Sequence, residues 1–217
     1  MTANNPFTYS RSELRFYLRG KAIDPALQKA GAEALIKTAR FNISDISLKL
    51  QQGKIDTAEW YAAMKEQTKL LHMGQAALAR GGFENMSAAD WKKVEPKIFD
   101  QWAGVEGKFP GLRRFAEDVE RGRYGRADGV GQVMNGVVTQ RSGMYADSSR
   151  ATYENTRTEA HTEAGYAFGT RVKGAVDSCP TCINENGVKR PIADVVEIGD
   201  SECGAARCHC ILLHSRT

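Results

Sequence analysis

All five cysteines of the chain lie near its C-terminal end, at Cys179, Cys182, Cys203, Cys208 and Cys210, and the first 178 residues contain none. Their spacing is C-x2-C, twenty intervening residues, then C-x4-C-x-C. A C-x2-C knuckle sends two thiolates to one point, and a second cluster about twenty residues on closes a tetrahedron around zinc. Disulfides are the competing chemistry. Five is an odd number, and the opening M-T-A-N-N-P-F-T-Y-S carries no apolar signal region, so the expectation is a cytoplasmic product with reduced thiols. Redox chemistry at Cys179-Pro180-Thr181-Cys182 would want a strand before it and a long helix after it, whereas a turn signal, Asn186-Gly187, follows within a few residues. The reading is therefore a structural zinc site on Cys179, Cys182, Cys203 and Cys208. Cys210 is the reserve ligand, and His209 and His214 are further candidates for a fourth position.

Short apolar runs flank Asn186-Gly187, with Ile183 before it and Val188, Val195, Val196 and Ile198 after it. That is hairpin chemistry, and it would fold the second cysteine cluster back onto the first. Beyond residue 178 there is no Phe, Trp or Tyr. Such a segment cannot build a core of its own, which is the situation a metal staple relieves.

The elements that would carry this module are helical. Ser10-Arg11-Ser12-Glu13 matches a capping box for a short helix through Arg19. Asp24-Pro25 opens a second helix, whose apolar positions recur to Gly53. Asp56 starts a third, carrying Trp60, Met64, Thr68, Leu71, Gln75 and Leu78 to Gly81-Gly82. Ser87-Ala88-Ala89-Asp90 opens a fourth, in which Pro96 is expected to limit or kink the first turns. A loop is expected over 104–110, a helix over 111–121, and two helices or one bent one over 127–173 with a break near Gly143–Ser149. The fold class expected is mainly α: a multi-helix body with a small zinc-stapled β-hairpin module at the C-terminus. Its segments would be a basic N-terminal helical segment (1–54), a helical body (55–175) and the cysteine-rich module (176–217).

The net charge is +4, with 26% charged and 41% hydrophobic residues, ordinary values for a globular chain. No apolar run is long enough to span a membrane. Residues 11–54 hold nine Lys and Arg against four acids, whereas residues 111–217 hold fourteen of each. Arg11, Arg15 and Arg19 recur every four residues, which on a helix is one stripe suited to DNA or an acidic partner. Arg113, Arg114, Arg121, Arg123 and Arg126 are a second basic group, interleaved with Glu117, Asp118 and Glu120. Arg150, Glu154, Arg157, Glu159 and Glu163 read as a solvated helix face of weak i,i+3 and i,i+4 pairs.

No nucleophile–base–orienter set, H-E-x-x-H, Walker loop or G-x-S-x-G occurs. The helical region leading into D-S-C-P-T-C, the N-G turn, and S-E-C-G-A-A-R-C-H-C-I-L resembles the tailed-phage minor head proteins, the head-morphogenesis family of the Mu F-like type. Cys179 and Cys182 match the family's first pair, Cys203 its C-or-H position, and Cys208-His209-Cys210 its terminal C-R-C-like element, with His209 where arginine is usual. G-G-F-E-N-M-S-A-A-D-W (81–91) and G-L-R-R-F-A-E-D-V-E-R-G (111–122) are similar as well, and the likeness covers roughly residues 55–213. The resemblance implies a non-enzymatic virion component, made in the bacterial cytoplasm and acting near the portal in head assembly. Its partners would be the portal or major capsid protein, with packaged double-stranded DNA as a second candidate and no membrane. A zinc-knuckle nucleic-acid-binding protein is the alternative.

Overall fold

The computed structural model describes residues 7–10, 15–18, 21–22, 25–106, 109–124, 137–174, 179–199 and 209–217. It begins with an antiparallel meander of strands β1 (Phe7–Ser10), β2 (Arg15–Leu18) and β3 (Lys21–Ala22), in which Ser10 lies opposite Arg15 and Leu18 opposite Lys21. The helix expected through Arg19 is thus corrected to strand. F-T-Y-S and R-F-Y-L alternate with β-favouring aromatics, and that preference wins over the capping-box match. Arg15 sits in β2, so a helical stripe through it does not form; Arg11 and Arg19 lie outside the described residues.

Helix α1 (Pro25–Gln51) begins at Pro25, where a fixed φ and a missing N–H suit the first helical turn. Helix α2 (Thr57–Arg80) is closed at its start by a reciprocal box, in which the Asp56 carboxylate accepts from the Glu59 N–H at 2.8 Å and Glu59 accepts from the Asp56 N–H at 3.0 Å. Helix α3 (Ala88–Ala103) uses Ser87 and Asp90 in the same way and runs on through Pro96 without ending there. The expected loop over 104–110 contains a minimal pairing of β4 (Gly104–Val105) with β5 (Phe109–Pro110). Helices α4 (Leu112–Glu120), α5 (Val137–Asp147) and α6 (Ser149–Glu163) follow, the last two separated at Ser148 inside the break expected from the sequence.

The main core gathers Ile36, Ala39, Ile43 and Leu50 of α1, Trp60, Met64 and Leu71 of α2, Leu112, Phe115 and Val119 of α4, and Val138 and Tyr145 of α5. Phe115 takes the Trp60 ring edge-on at 5.3 Å and the Tyr124 ring at 5.5 Å, while the Arg141 guanidinium lies 4.9 Å from its centroid. Burying Trp60 strands an indole N–H, and Ser47 answers it: Trp60 Nε1 donates to Ser47 Oγ at 3.2 Å. Ser47 Oγ in turn donates to Ser142 Oγ at 3.1 Å, and Ser142 Oγ to the Val138 carbonyl at 2.6 Å. The chain of bonds satisfies the polar groups at the junction of α1, α2 and α5.

The helical pattern expected to continue to Lys173 stops at Glu163. Residues Phe168–Val172 form strand β6, the centre of an antiparallel sheet in the order β7–β6–β8, with β7 at Lys189–Pro191 and β8 at Ile211–Ser215. The fold is mainly helical with this small antiparallel sheet at its C-terminal end, and the sheet's central strand comes from upstream of the cysteines.

Candidate metal centre

The first two cysteines sit on a helical turn, not on a hairpin. Cys179 is the N-cap of α7 (Pro180–Asn184), with Pro180 in the first turn, and its sulfur accepts the Cys182 N–H at 3.4 Å. Proline's fixed φ and the capping sulfur favour helix over strand on this side of Asn186-Gly187, which corrects the expected hairpin. The turn survives, with Gly187 at φ +76°, a conformation that favours glycine. It delivers the chain to β7, whose partner is β6: Phe168 faces Pro191 and Thr170 faces Lys189. The knuckle is fastened to the same strand, because Gly187 N donates to the Arg171 carbonyl at 2.8 Å and Lys173 N to Asn186 Oδ1 at 2.9 Å.

The terminal segment returns along the other edge of β6, Val172 opposite Ile211 and Phe168 opposite Ser215. Where it arrives, a Cβ at Gly174 would lie 1.8 Å from the His209 carbonyl oxygen, so glycine is what lets the two backbones meet. The consequence is a small core of Cys182, Ile198, Cys210 and Leu212, with Cys179, Val195 and Ala151 against it. Cys179, Cys182 and Cys210 therefore come together in one cluster; Cys203 and Cys208 lie outside the described residues. Among the described residues no group of three or more His, Cys, Asp or Glu side chains is arranged to hold a metal. Of the candidate cysteine ligands, Cys179, Cys182 and Cys210 are described, and they share this cluster.

A buried cation adjoins the knuckle. Arg171 points inward from β6, is 2% exposed, and places Nη1 3.5 Å from the Cys182 sulfur, while Nη2 donates to the Val196 carbonyl. A guanidinium against a sulfur suits a thiolate, the form in which cysteine binds metal. Arg171 belongs to no motif and lies in the stretch whose pattern predicts helix; the alternation in F-G-T-R-V is the signal for the strand that buries it.

Helix α6 is the platform for the module. Residues 151, 154, 155, 158 and 161 recur at helical spacing and share one face. Asn155 bonds both backbone groups of Ile198, Glu154 Oε2 accepts the Leu212 N–H at 3.3 Å, and Arg157 donates to Glu154 at 2.6 Å and to the Leu212 carbonyl. The solvated face expected for these charges is corrected: Glu154 is 4% exposed, because the sheet lies on it. Arg150 is likewise engaged, with Glu33 at 2.8 Å and Asp147 at 3.1 Å. Of the rest, Glu163 is mostly solvated and pairs with Arg80 at 2.6 Å.

His214 faces α6, not the cysteines. Its Nε2 lies 3.1 Å from Thr158 Oγ1 and its Nδ1 2.5 Å from His161 Nδ1. Burial pushes both rings down to about 3, helped at His161 by Arg157 and at His214 first by His161 and then by Arg157. His209 is exposed. Among the second basic group, Arg113 and Arg114 pair with Glu117 at 3.5 and 3.4 Å, and Arg123 pairs with Asp118 at 3.2 Å; Arg126 lies outside the described residues. No helix among the described residues is long and apolar enough to cross a membrane. The chain matches no family model, no curated protein and no solved structure.

Proposed function

We propose that the chain is a structural component of a phage head, acting in head morphogenesis at or near the portal, and that its C-terminal module is stapled by zinc. The observation that carries this reading is the Cys179–Cys182 knuckle, capped by its own sulfur, fastened to β6 and seated with Cys210 on α6. Cys179 and Cys182 would supply half of a tetrahedral set, Cys203 a third ligand, and Cys208 the fourth, with Cys210 in reserve. Zinc held this way contributes folding energy: it ties the 179–199 segment to the strand that ends the chain. Full thiolate ligation leaves no position for an activated water, so the role is assembly and not catalysis.

The partner proposed is the portal or major capsid protein, with packaged double-stranded DNA as the secondary contact and the virion as the place of action. The exposed side chains of Phe41, Leu48 and Leu70 on α1 and α2 offer apolar contact area for a protein partner. The test is metal analysis of purified protein together with assembly of heads in its absence. The expected result is about one zinc per chain, loss of the module's order on chelation with the helices intact, and heads that fail to assemble or mature without the protein. A metal-free protein with disulfides would remove the zinc staple, and normal heads without the protein would remove the assembly role.

A further inference from the structure

The geometry points to Arg171 as a positioning residue of the cysteine centre, which hydrogen-bonds the Cys182 sulfur and offsets the charge that thiolate ligands bring into the module's apolar core. This rests on the zinc-staple reading above. The charge problem follows from chemistry. Four thiolates around one divalent cation carry a surplus of negative charge, and a buried surplus is costly unless donors or a counter-charge meet it. Among the described residues, the apolar side chains of Ile198, Leu212 and Val195 pack against the knuckle. Arg171 supplies the counter-charge from the strand beneath them, 2% exposed and with Nη1 3.5 Å from Cys182 Sγ.

Its aim is fixed in advance. The second arm of the same planar fork, Nη2, donates to the Val196 carbonyl, which leaves Nη1 with one orientation. The backbone carbonyl of Arg171 also takes the Gly187 N–H at 2.8 Å, so the strand position that holds the guanidinium also holds the end of the knuckle. One residue therefore sets both the place of the C-x2-C turn and the charge beside its second sulfur. Outer donors of this kind orient metal ligands and tune their affinity.

The alternative is that Arg171 merely braces the 195–198 segment through Val196. Three variants separate the two roles: Arg171→Gln, Arg171→Lys, and Asn155→Ala, which cuts the other anchor of that segment at Ile198. Each is titrated with cobalt(II) as a spectroscopic substitute for zinc and challenged with a competing chelator, with circular dichroism as the check on folding. Wild type is expected to take up one cobalt with a sulfur-to-metal charge-transfer band. In Arg171→Gln the affinity is expected to fall by roughly 10- to 100-fold and the band to shift, with recovery of part of the affinity in Arg171→Lys. Asn155→Ala is expected to melt earlier yet keep the wild-type band. Wild-type affinity and band in Arg171→Gln would overturn the role of Arg171 while leaving the zinc staple standing. Absence of any cobalt or zinc binding by wild type would overturn the staple, and Arg171's role with it.

Discussion

Asn155 and Ile198 exchange two hydrogen bonds: Asn155 Nδ2 donates to the Ile198 carbonyl at 2.9 Å, and the Ile198 N–H donates to Asn155 Oδ1 at 3.0 Å. A side-chain amide thus mimics a strand neighbour and welds a loop of the cysteine module to helix α6. Both groups of Ile198 are buried, so the amide replaces water that cannot reach them. Asn155→Ala is expected to cost about 1–3 kcal/mol, because it leaves a buried donor and acceptor unpaired. Urea denaturation measures the loss, and hydrogen exchange locates it: the Ile198 amide should exchange faster while α1 and α2 keep their protection. Unchanged exchange at Ile198 would show that the weld lies elsewhere.

Much of the helical body was legible because its signals are local. Asp56 with Glu59, and Ser87 with Asp90, are boxes whose partners lie three residues apart, and both formed. What failed depended on distant partners. Ser10 to Glu13 spells the same box, but β1 and β2 pair across it, and pairing of F-T-Y-S with R-F-Y-L decides the outcome. Phe168–Val172 became a strand because β7 and β8 lie on its two edges. Glu154 and Arg157 read as solvent-facing for the same reason: nothing in a helix's own sequence says that a sheet will land on it. Cys179 and Cys182 share one helical turn because three positions separate them, whereas Arg171, eleven positions before Cys182, had no spacing to announce it.

Replacement of the cysteines should sort ligands from core. Cys179→Ser, Cys182→Ser, Cys203→Ser and Cys208→Ser are each expected to lose bound zinc. Cys210→Ser is expected to keep it and to lose about 1–2 kcal/mol, the usual range for a buried side chain made polar. Zinc content per folded chain is the measurement. Equal loss of zinc in Cys210→Ser and retention in Cys208→Ser would move the fourth ligand to Cys210, which packs in the same cluster as Cys179 and Cys182.

Acid should weaken the fold in part through His72. The ring is buried, hydrogen-bonded at Nδ1 to Thr152 Oγ1 at 2.7 Å, and its pKa is pushed from 6.5 to about 4 by burial, with a smaller push from Lys97. Above pH 6.5 the ring is neutral in both folded and unfolded chains and contributes no pH dependence. As pH falls below 6.5 the unfolded chain takes up a proton that the folded chain refuses until about pH 4, so stability drops across that window. The slope from one such group approaches about 1.4 kcal/mol per pH unit. Denaturation midpoints from pH 7.5 to 4.5 should therefore fall less steeply in His72→Gln than in wild type. Parallel curves would show that the ring is solvated or protonated in the folded chain.

The basic N-terminal residues give the last test, because strand β2 changes what they can do. Arg11, Arg15 and Arg19 are not one helical stripe, since Arg15 lies within Arg15–Leu18 and opposite Ser10. If packaged DNA is their target, neutralising three phosphates gives a slope of log K on log salt of about −2.7. Affinity should then fall about 40-fold between 50 and 200 mM salt, without preference for sequence. The whole chain carries only +4, too little for tight DNA binding, so the expected main partner is an acidic protein surface. Replacing all three by glutamine should reduce incorporation of the protein into heads while changing DNA affinity little in physiological salt. Tight, sequence-independent DNA binding that collapses in the triple variant would make DNA the first partner, and undiminished incorporation would show that the three charges are merely solvated.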